Sequence, residues 1–354
     1  MIIARTPVRV SFGGGGTDLP SFYLQYGGEV LSTSINKYFY TVITGRDDRM
    51  VQLISSDFRV LEYYDQLDKV QPEEEELGIP LAAIKHLSPQ VGMNLFLASE
   101  IPSGTGLGSS ACVCVNILRA VSAYVERNLT KHELAEMAFN VAADSLGLPV
   151  GKQDEYASAF GGLNHIRFGK DGVDLAPVNV DEDIVRALEE RLLLFFMGSS
   201  RQSTGILSEQ NHAIRQGDAK VIEALQGVRS LVPLMMEALL GGELDEFGAL
   251  LHQAWAHKKR FSQQVSNPFI DQVYELARRN GALGGKVTGA GGGGFLLLYV
   301  PPDSQEAVKQ ALASKGLKEM QFGFDFHGAR IVYDDPFFDS GQHGELLWKF
   351  VRLD

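Results

Sequence analysis

Patterning along the chain predicts an α+β protein of two domains. Segments with strand and helix character are mixed without the regular βαβ alternation of a doubly wound sheet. Two glycine-rich elements, 102–111 and 281–294, each adjoin a long apolar run. The 354 residues, 45% of them hydrophobic, are enough for about two cores.

Residues 1–12 read as a strand with Arg5 and Arg9 among apolar neighbours, broken by Gly13 to Gly16. Ile35 to Gly45 and Met50 to Ile54 read as further strands. Gln71 to Glu76 is a solvated acidic stretch, Leu81 to Leu87 a helix, and Met93 to Leu97 a strand feeding the 102–111 loop. The apolar run Cys112 to Val125 has helical character, as does Thr130 to Ala143, where Thr130 and Glu133 match a capping box. Strands at Leu163 to Phe168 and Val173 to Pro177 end a first domain, placed at 1–178. Residues 178–190 read as a connector to a second domain over 190–345. That domain begins with a buried strand, Leu192 to Met197, then Gly198-Ser-Ser-Arg201 and a helix from about Thr204. Helical patterns follow over 218–240, 243–262 and 268–280; after the glycine run come the strand Phe295 to Val300, a helix over 304–315 and a closing strand over 329–333. No tandem repeat appears.

A net charge of -12 argues against nucleic acid or an anionic membrane as partner, so an anionic ligand must be met by local cations. Cys112 and Cys114 lie in an apolar run and read as buried thiols. Arg5 interrupts the first apolar residues, against a signal peptide, and no apolar run is long enough to span a bilayer; both point to a cytoplasmic protein. Oligomeric state is not legible, and a homo-oligomer is compatible with the sequence.

The stretch Pro102-Ser-Gly-Thr-Gly-Leu-Gly-Ser-Ser-Ala111 is the most informative. Such a loop can wrap backbone N–H groups around a phosphate, and the helix behind it points its positive end at the same spot. It lacks the Gly-Lys-Ser/Thr ending of a Walker A loop. Ser109 and Ser110 sit at the helix start, where one is expected to cap and the other to face a phosphate oxygen or Mg²⁺. Residues 289–294 formally match G-x-G-x-x-G, but a strand follows them instead of a helix. Their reading is a backbone packed closely on the first loop or on ligand. In Gly151-Lys-Gln-Asp154-Glu155, Asp154 is either a helix cap or a proton acceptor beside a transferable hydroxyl. Arg9 opposite it would hold the carboxylate as an anion and stabilise charge on a moving phosphoryl group. Glu155 adds a second anion there, with Lys152 as the candidate to offset it. Gly13-Gly-Gly-Gly16-Thr17-Asp18 is either a mobile loop or a backbone brought close to a polyhydroxylated ligand. Trp255 reads as core, and Lys258 and Lys259 as surface residues or a local anion site.

These segments, in this order, resemble the GHMP small-molecule kinases. Arg5-Thr-Pro-Val-Arg-Val-Ser-Phe-Gly-Gly-Gly-Gly-Thr-Asp-Leu-Pro, Ile35-Asn-Lys-Tyr, Gly151-Lys-Gln-Asp and Ala159-Phe-Gly-Gly-Leu-Asn resemble the bacterial D-glycero-D-manno-heptose 7-phosphate kinases within that group. Fucose-kinase-like members share part of the pattern. The resemblance implies a ribosomal S5 domain 2-like N-terminal domain, a ferredoxin-like C-terminal domain, ATP and Mg²⁺ as cofactors, and a sugar phosphate as substrate. It implies that Asp154 is the catalytic carboxylate and Arg9 its charge-stabilising partner. ATP would lie on Pro102, Gly104, Gly106, Leu107, Gly108, Ser109, Ser110 and Ala111. Gly15, Gly16, Thr17, Asp18, Lys37, Arg201, Gly291 and Gly292 would meet the sugar phosphate, and Ser110 and Asp144 the Mg²⁺. For the terminal phosphate Arg5, Lys37, Arg201 and Lys258 are candidates, Arg201 having the best local logic because a helix starts just after it. The chain departs from the heptose kinases in carrying Asp144 where Glu is usual and Glu155 where Gln is common.

Overall fold

The structure, a computed structural model, describes residues 1–198 and 203–335. The chain opens with β1 (Ile2–Gly13), α1 (Pro20–Tyr26) and a long β2 (Gly28–Arg46) antiparallel to β1. It continues through β3 (Val51–Ser55), β4 (Val60–Tyr64), α2 (Gly78–Leu87) and β5 (Gly92–Ser99). Next come α3 (Ser109–Tyr124), α4 (Lys131–Asn140), α5 (Gln153–Phe160), β6 (Leu163–Gly169) and β7 (Gly172–Pro177). These strands form one sheet in the order β1-β2-β5-β3-β4, with β6 and β7 attached to the first half of β2. The buried face of α3, from Cys112 to Val121, packs on this sheet, and α2 covers its neighbour.

The second half runs α6 (Glu182–Arg191), β8 (Leu192–Phe196), α7 (Ser203–Arg215), α8 (Ala219–Leu240), α9 (Leu244–Lys258) and α10 (Pro268–Arg279). It ends with β9 (Gly284–Val287), β10 (Phe295–Tyr299), α11 (Gln305–Ala313), β11 (Lys318–Glu319) and β12 (Arg330–Asp334). Its sheet has the order β11-β8-β10-β9, antiparallel at every pairing. Numbered within this unit, that is 4-1-3-2, the ferredoxin-like arrangement. Both faces of β8 and β10 are covered, which is why Leu192 to Phe196 and Phe295 to Tyr299 are continuous apolar runs instead of alternating ones. Leu193, Phe195, Leu296 and Leu298 face one core with Trp255. Leu192, Leu194, Leu297 and Tyr299 face the larger core shared with the first sheet. The single helix α8 serves both, giving Val221 to Val228 to one and Leu231 to Leu239 to the other.

The structure departs from the sequence reading where local pattern is weak. The connector holds a helix, α6, started by the Asp181 side chain, which accepts the Asp183 N–H; it buries only Leu188, too little for a periodic signal. The strand expected over 329–333 does not close the second sheet; as β12 it pairs antiparallel with β1. The capping box of Thr130 and Glu133 is formed, but the helix ends as α-helix at Asn140 and continues as a π-helical turn, Val141–Ser145. Cys112, Cys114 and Trp255 are buried as read. Among the described residues no helix is long and apolar enough to cross a membrane.

The two halves meet backbone to backbone. A Cβ on Gly289 would lie 2.5 Å from the Gly106 Cα, and one on Gly294 would lie 2.2 Å from the Thr105 carbonyl oxygen. Gly294 also has φ +83°, a conformation that favours glycine. Gly294→Ala therefore combines a steric clash with backbone strain. The expected loss, read from urea unfolding, is about 2–4 kcal/mol, with Gly316→Ala, which has open space around it, as the milder control.

Candidate active site

The loop between β5 and α3 shapes the site. Gly104, Gly106 and Gly108 hold φ of +73°, +82° and +75°, so left-handed glycines alternate along it. Alternation of this kind turns successive N–H groups into one concavity, a nest for an anion. Gly108 is the N-cap of α3, and no side chain caps the helix. The expectation that Ser109 or Ser110 caps it is therefore corrected: both lie in the first turn and neither hydroxyl bonds a described residue. A Cβ at the cap would press on the Asp154 carboxylate at 3.1 Å and the Arg9 Cγ at 3.4 Å, so the position calls for glycine. The N–H groups of Ser109, Ser110 and Ala111 have no acceptor among the described residues, as expected at a free helix start.

Arg9 and Asp154 meet beside this helix start. Arg9 Nε donates to Asp154 Oδ1 and a terminal nitrogen to Oδ2, both at 2.7 Å, while the other terminal nitrogen donates to the Gly106 carbonyl at 2.8 Å. Arg9 is 3% exposed, so the strand residue is a buried, bidentate partner of the carboxylate. Asp154 is not the cap of α5. Asp18 serves that helix start: its Oδ2 accepts the Gln153 N–H at 3.2 Å and its Oδ1 the Gly16 N–H at 2.9 Å. Burial, and then the Asp154 carboxylate, push the Asp18 carboxyl up from its ordinary range. Glu155 is buried beside these groups in the cleft wall, where burial first and Asp154 second raise its carboxyl well above the usual value. Lys152 does not offset it. That ammonium bonds Glu136 at 2.7 Å and lies over the Phe139 ring, because its side chain leaves α5 toward α4.

One cleft is lined by Arg9, Gly15, Gly16, Asp18, Gly104, Gly106, Gly108, Ser109, Ser110, Ala111, Asp154 and Gly291. Segments far apart in sequence thus converge on one space. Other candidates do not line it. The Thr17 hydroxyl is buried and bonds the backbones of Gly14 and Glu29. Leu107 is buried and offers its carbonyl to the Arg9 N–H at 3.0 Å. Gly292 gives its N–H to Val265 at 2.8 Å, and the Pro102 carbonyl takes the Thr105 hydroxyl at 2.9 Å. Lys37 sits on β2 away from the cleft, Arg5 stacks on the Tyr38 ring at 4.1 Å, and Asp144 stands exposed on the π-helical turn. Arg201 lies outside the described residues. In the 13–16 turn, Gly14 approaches the protein's own backbone: its Cβ would fall 1.8 Å from the Glu29 oxygen. Gly15 and Gly16 alone open on the cleft.

Several lining residues were not expected. The Ser11 hydroxyl, Gln153 Oε1 and Gln210 Nε2 are buried in the cleft wall without a hydrogen-bond partner. Unpaired buried polar atoms at a cleft are available to a ligand. Lys286 also lines it, buried, together with Lys258. A lone lysine inside the glycine-rich element 281–294 was the signal in the sequence.

Residues 78–162 match the family model of the GHMP kinases N terminal domain, and residues 235–318 that of GHMP kinases C terminal. The chain is 29% identical over 335 residues to D-glycero-alpha-D-manno-heptose 7-phosphate kinase of Campylobacter jejuni, covering 93% of this chain and 98% of that protein. It is 30% identical to the mevalonate kinase of Thermococcus gammatolerans over 68% of this chain and 69% of that one. The crystal structure of a D-glycero-D-manno-heptose 1-phosphate kinase from Bacteroides thetaiotaomicron superposes with a TM-score of 0.78 at 26% identity, covering 95% of this chain and 100% of the other. The chain belongs to the GHMP kinase family. It is an ATP-dependent kinase with a hydroxyl group as acceptor.

Burial, and next the Arg9 charge, push the Lys286 ammonium down to about 7. The folded protein then binds fewer protons than the unfolded chain between that value and the ordinary lysine range. Stability from this group therefore rises with pH across that window, and the cost of charging it is fully present below about 7. Thermal unfolding should show Lys286→Met more stable than the parent near pH 6, with the difference shrinking as pH rises toward 9. A constant difference across that range would contradict the burial of a titrating ammonium.

Proposed function

We propose that the protein transfers the γ-phosphoryl group of ATP to the anomeric hydroxyl of D-glycero-D-manno-heptose 7-phosphate, giving the 1,7-bisphosphate. The observation that carries the reading is the Arg9–Asp154 pair standing against the cap of α3. A carboxylate held at the mouth of a phosphate-binding nest suits proton removal from an incoming hydroxyl next to the group being transferred. Residues 1–178 supply the nest, Arg9 and Asp154, and the unit beginning near 190 supplies the opposite wall.

In this mechanism the free N–H groups of 104–111 hold the triphosphate at the positive end of α3. Asp154 orients the acceptor hydroxyl and takes its proton, while the new O–P bond forms and the bond to the β-phosphate oxygen breaks. Arg9 holds the carboxylate through two hydrogen bonds and balances charge in the transition state. Mg²⁺ needs only one or two protein ligands when phosphate oxygens supply the rest, and the unpartnered Ser110 hydroxyl fits that need. The ion would neutralise charge on the triphosphate. Asp144, exposed and off the cleft, is given no ligand role.

The acceptor end is polyhydroxyl-compatible: Ser11, Gln153 and Gln210 present unpaired polar atoms beside Asp18, Gly15 and Gly16. The start of α7 reaches the same cleft through Thr204 and Leu207, which favours a terminal phosphate there, with Arg201 just ahead of it in sequence. A kinase of an unphosphorylated sugar such as fucose is the rival reading.

With a panel of sugars offered in pairs, kcat/KM for heptose 7-phosphate should exceed that for the unphosphorylated heptose by about 10²-fold, as expected when charge-assisted contacts are lost. Equal turnover of the pair would reject the phosphorylated acceptor. Asp154→Asn should lower kcat by about 10²-fold or more while ATP still binds. Undiminished turnover would remove Asp154 from the chemistry.

A further inference from the structure

Of two lysines in the cleft wall, Lys258 was a candidate for the acceptor's terminal phosphate and Lys286 has no assigned task. Lys258 and Lys286 are 6% and 4% exposed, and both line the space that holds Arg9 and Asp154. Lys258 Nζ donates to the carbonyls of Val287 at 2.8 Å and Gly289 at 2.5 Å, and Lys286 Nζ donates to the Phe12 carbonyl at 3.1 Å. An ammonium has three donors, so Lys258 keeps one and Lys286 two without an acceptor among the described residues. Neither pairs with a carboxylate among the described residues. A buried structural lysine is ordinarily paired, because an uncompensated interior charge is costly. Here two such groups stand beside a guanidinium, in a chain whose net charge is -12.

Their placement selects the ligand. Lys258 is tied to Gly289, which backs directly onto Gly106 of the phosphate loop, and Arg9 in turn holds the Gly106 carbonyl. Lys286 is tied to the end of β1, three residues beyond Arg9. Both therefore adjoin the point where nucleotide and acceptor must meet. The far end of a seven-carbon acceptor, whose first hydroxyl is at Asp154, lies away from that point.

We propose that Lys258 and Lys286, together with Arg9, form a cationic wall that contacts the phosphoryl group in transfer, first as the γ-phosphate of ATP and then as the new phosphate ester. The lysines make and break no covalent bond. The acceptor proton goes to Asp154, the β-phosphate oxygen leaves with the bonding pair, and the ammonium groups balance the charge of the moving group. Burial and the neighbouring cations press both lysines toward the neutral form in the free protein, and a bound phosphoryl group would favour their charged form. The inference rests on the kinase assignment and not on the identity of the sugar.

Binding of MgADP and of the non-hydrolysable analogue MgAMPPNP, measured by calorimetry without acceptor, reads the γ-phosphate contact directly. Lys258→Met and Lys286→Met should bind MgADP within about twofold of the parent, while MgAMPPNP weakens about 10-fold or more and kcat falls about 10²-fold. Lys286→Arg, which keeps a cation, should recover part of the MgAMPPNP affinity, and it tests the contact even if a methionine variant folds poorly. An equal loss for both nucleotides would mean that the lysines only tether backbone, and would overturn the proposal. Unchanged MgAMPPNP binding with a raised KM confined to phosphorylated acceptors would assign them to the acceptor's own phosphate and would also overturn it. Because no acceptor enters the binding measurement, failure of the heptose reading would leave this result intact.

Discussion

The whole site depends on two backbones being allowed to touch. Gly106 in the phosphate loop and Gly289 in the opposite run approach so closely that neither position tolerates a side chain, and Gly294 meets Thr105 in the same way. The contact sets how far the second unit stands from the first. It thereby sets the width of the cleft and brings Lys258 and Lys286, carried by α9 and β9, within reach of Arg9 on β1. Hydrogen bonds run along the same seam: Phe295 N–H to Thr105, Arg9 to Gly106, Lys286 to Phe12. The glycines thus serve the site by letting polar groups from distant segments converge, more than by any flexibility of their own.

Charge is distributed with the same economy of space. The chain as a whole is acidic, so long-range attraction of a nucleotide is not available from its net field. Cations are instead concentrated inside the cleft, where low dielectric makes each one count for more. The carboxyls that share this space are handled differently from one another. Asp154 is paired bidentately with Arg9, whereas Asp18 and Glu155 are buried, which raises both carboxyls above their ordinary range. One acidic group is thus singled out by its guanidinium partner next to the phosphate loop.

Much of this was legible in the residues. The loop of 102–111, its helix and the close packing of the second glycine run follow from local chemistry, namely glycine spacing and an apolar helix behind a polar loop, whereas Asp154 read equally as a helix cap and its pairing with Arg9 came from the family resemblance. What could not be read depended on partners far away in sequence. Nothing in Gly151 to Glu155 says that Lys152 will meet Glu136 on α4, or that Glu155 will be buried. A cap at Gly108 was hidden because Ser109 and Ser110 are good capping types, and only the nearby Asp154 and Arg9 explain why glycine holds that position. Lys286, inside the second glycine-rich element, drew no reading from the sequence; its burial becomes visible only when β9 is laid against the end of β1. α6 buries too little to announce itself.

The return of β12 to the first sheet has a consequence for assembly. The strand that bears Arg9 receives its outer neighbour from residues 330–334, more than three hundred positions later, and the Met1 ammonium bonds the Asp335 carbonyl at the same edge. During synthesis the opening sheet must wait, one flank bare, until the entire second unit has emerged. Such a clasp couples the two halves into a single late folding event. A nascent chain would therefore hold its nucleotide loop long before it gained a finished catalytic scaffold, delaying phosphoryl transfer until residues 330–334 have emerged.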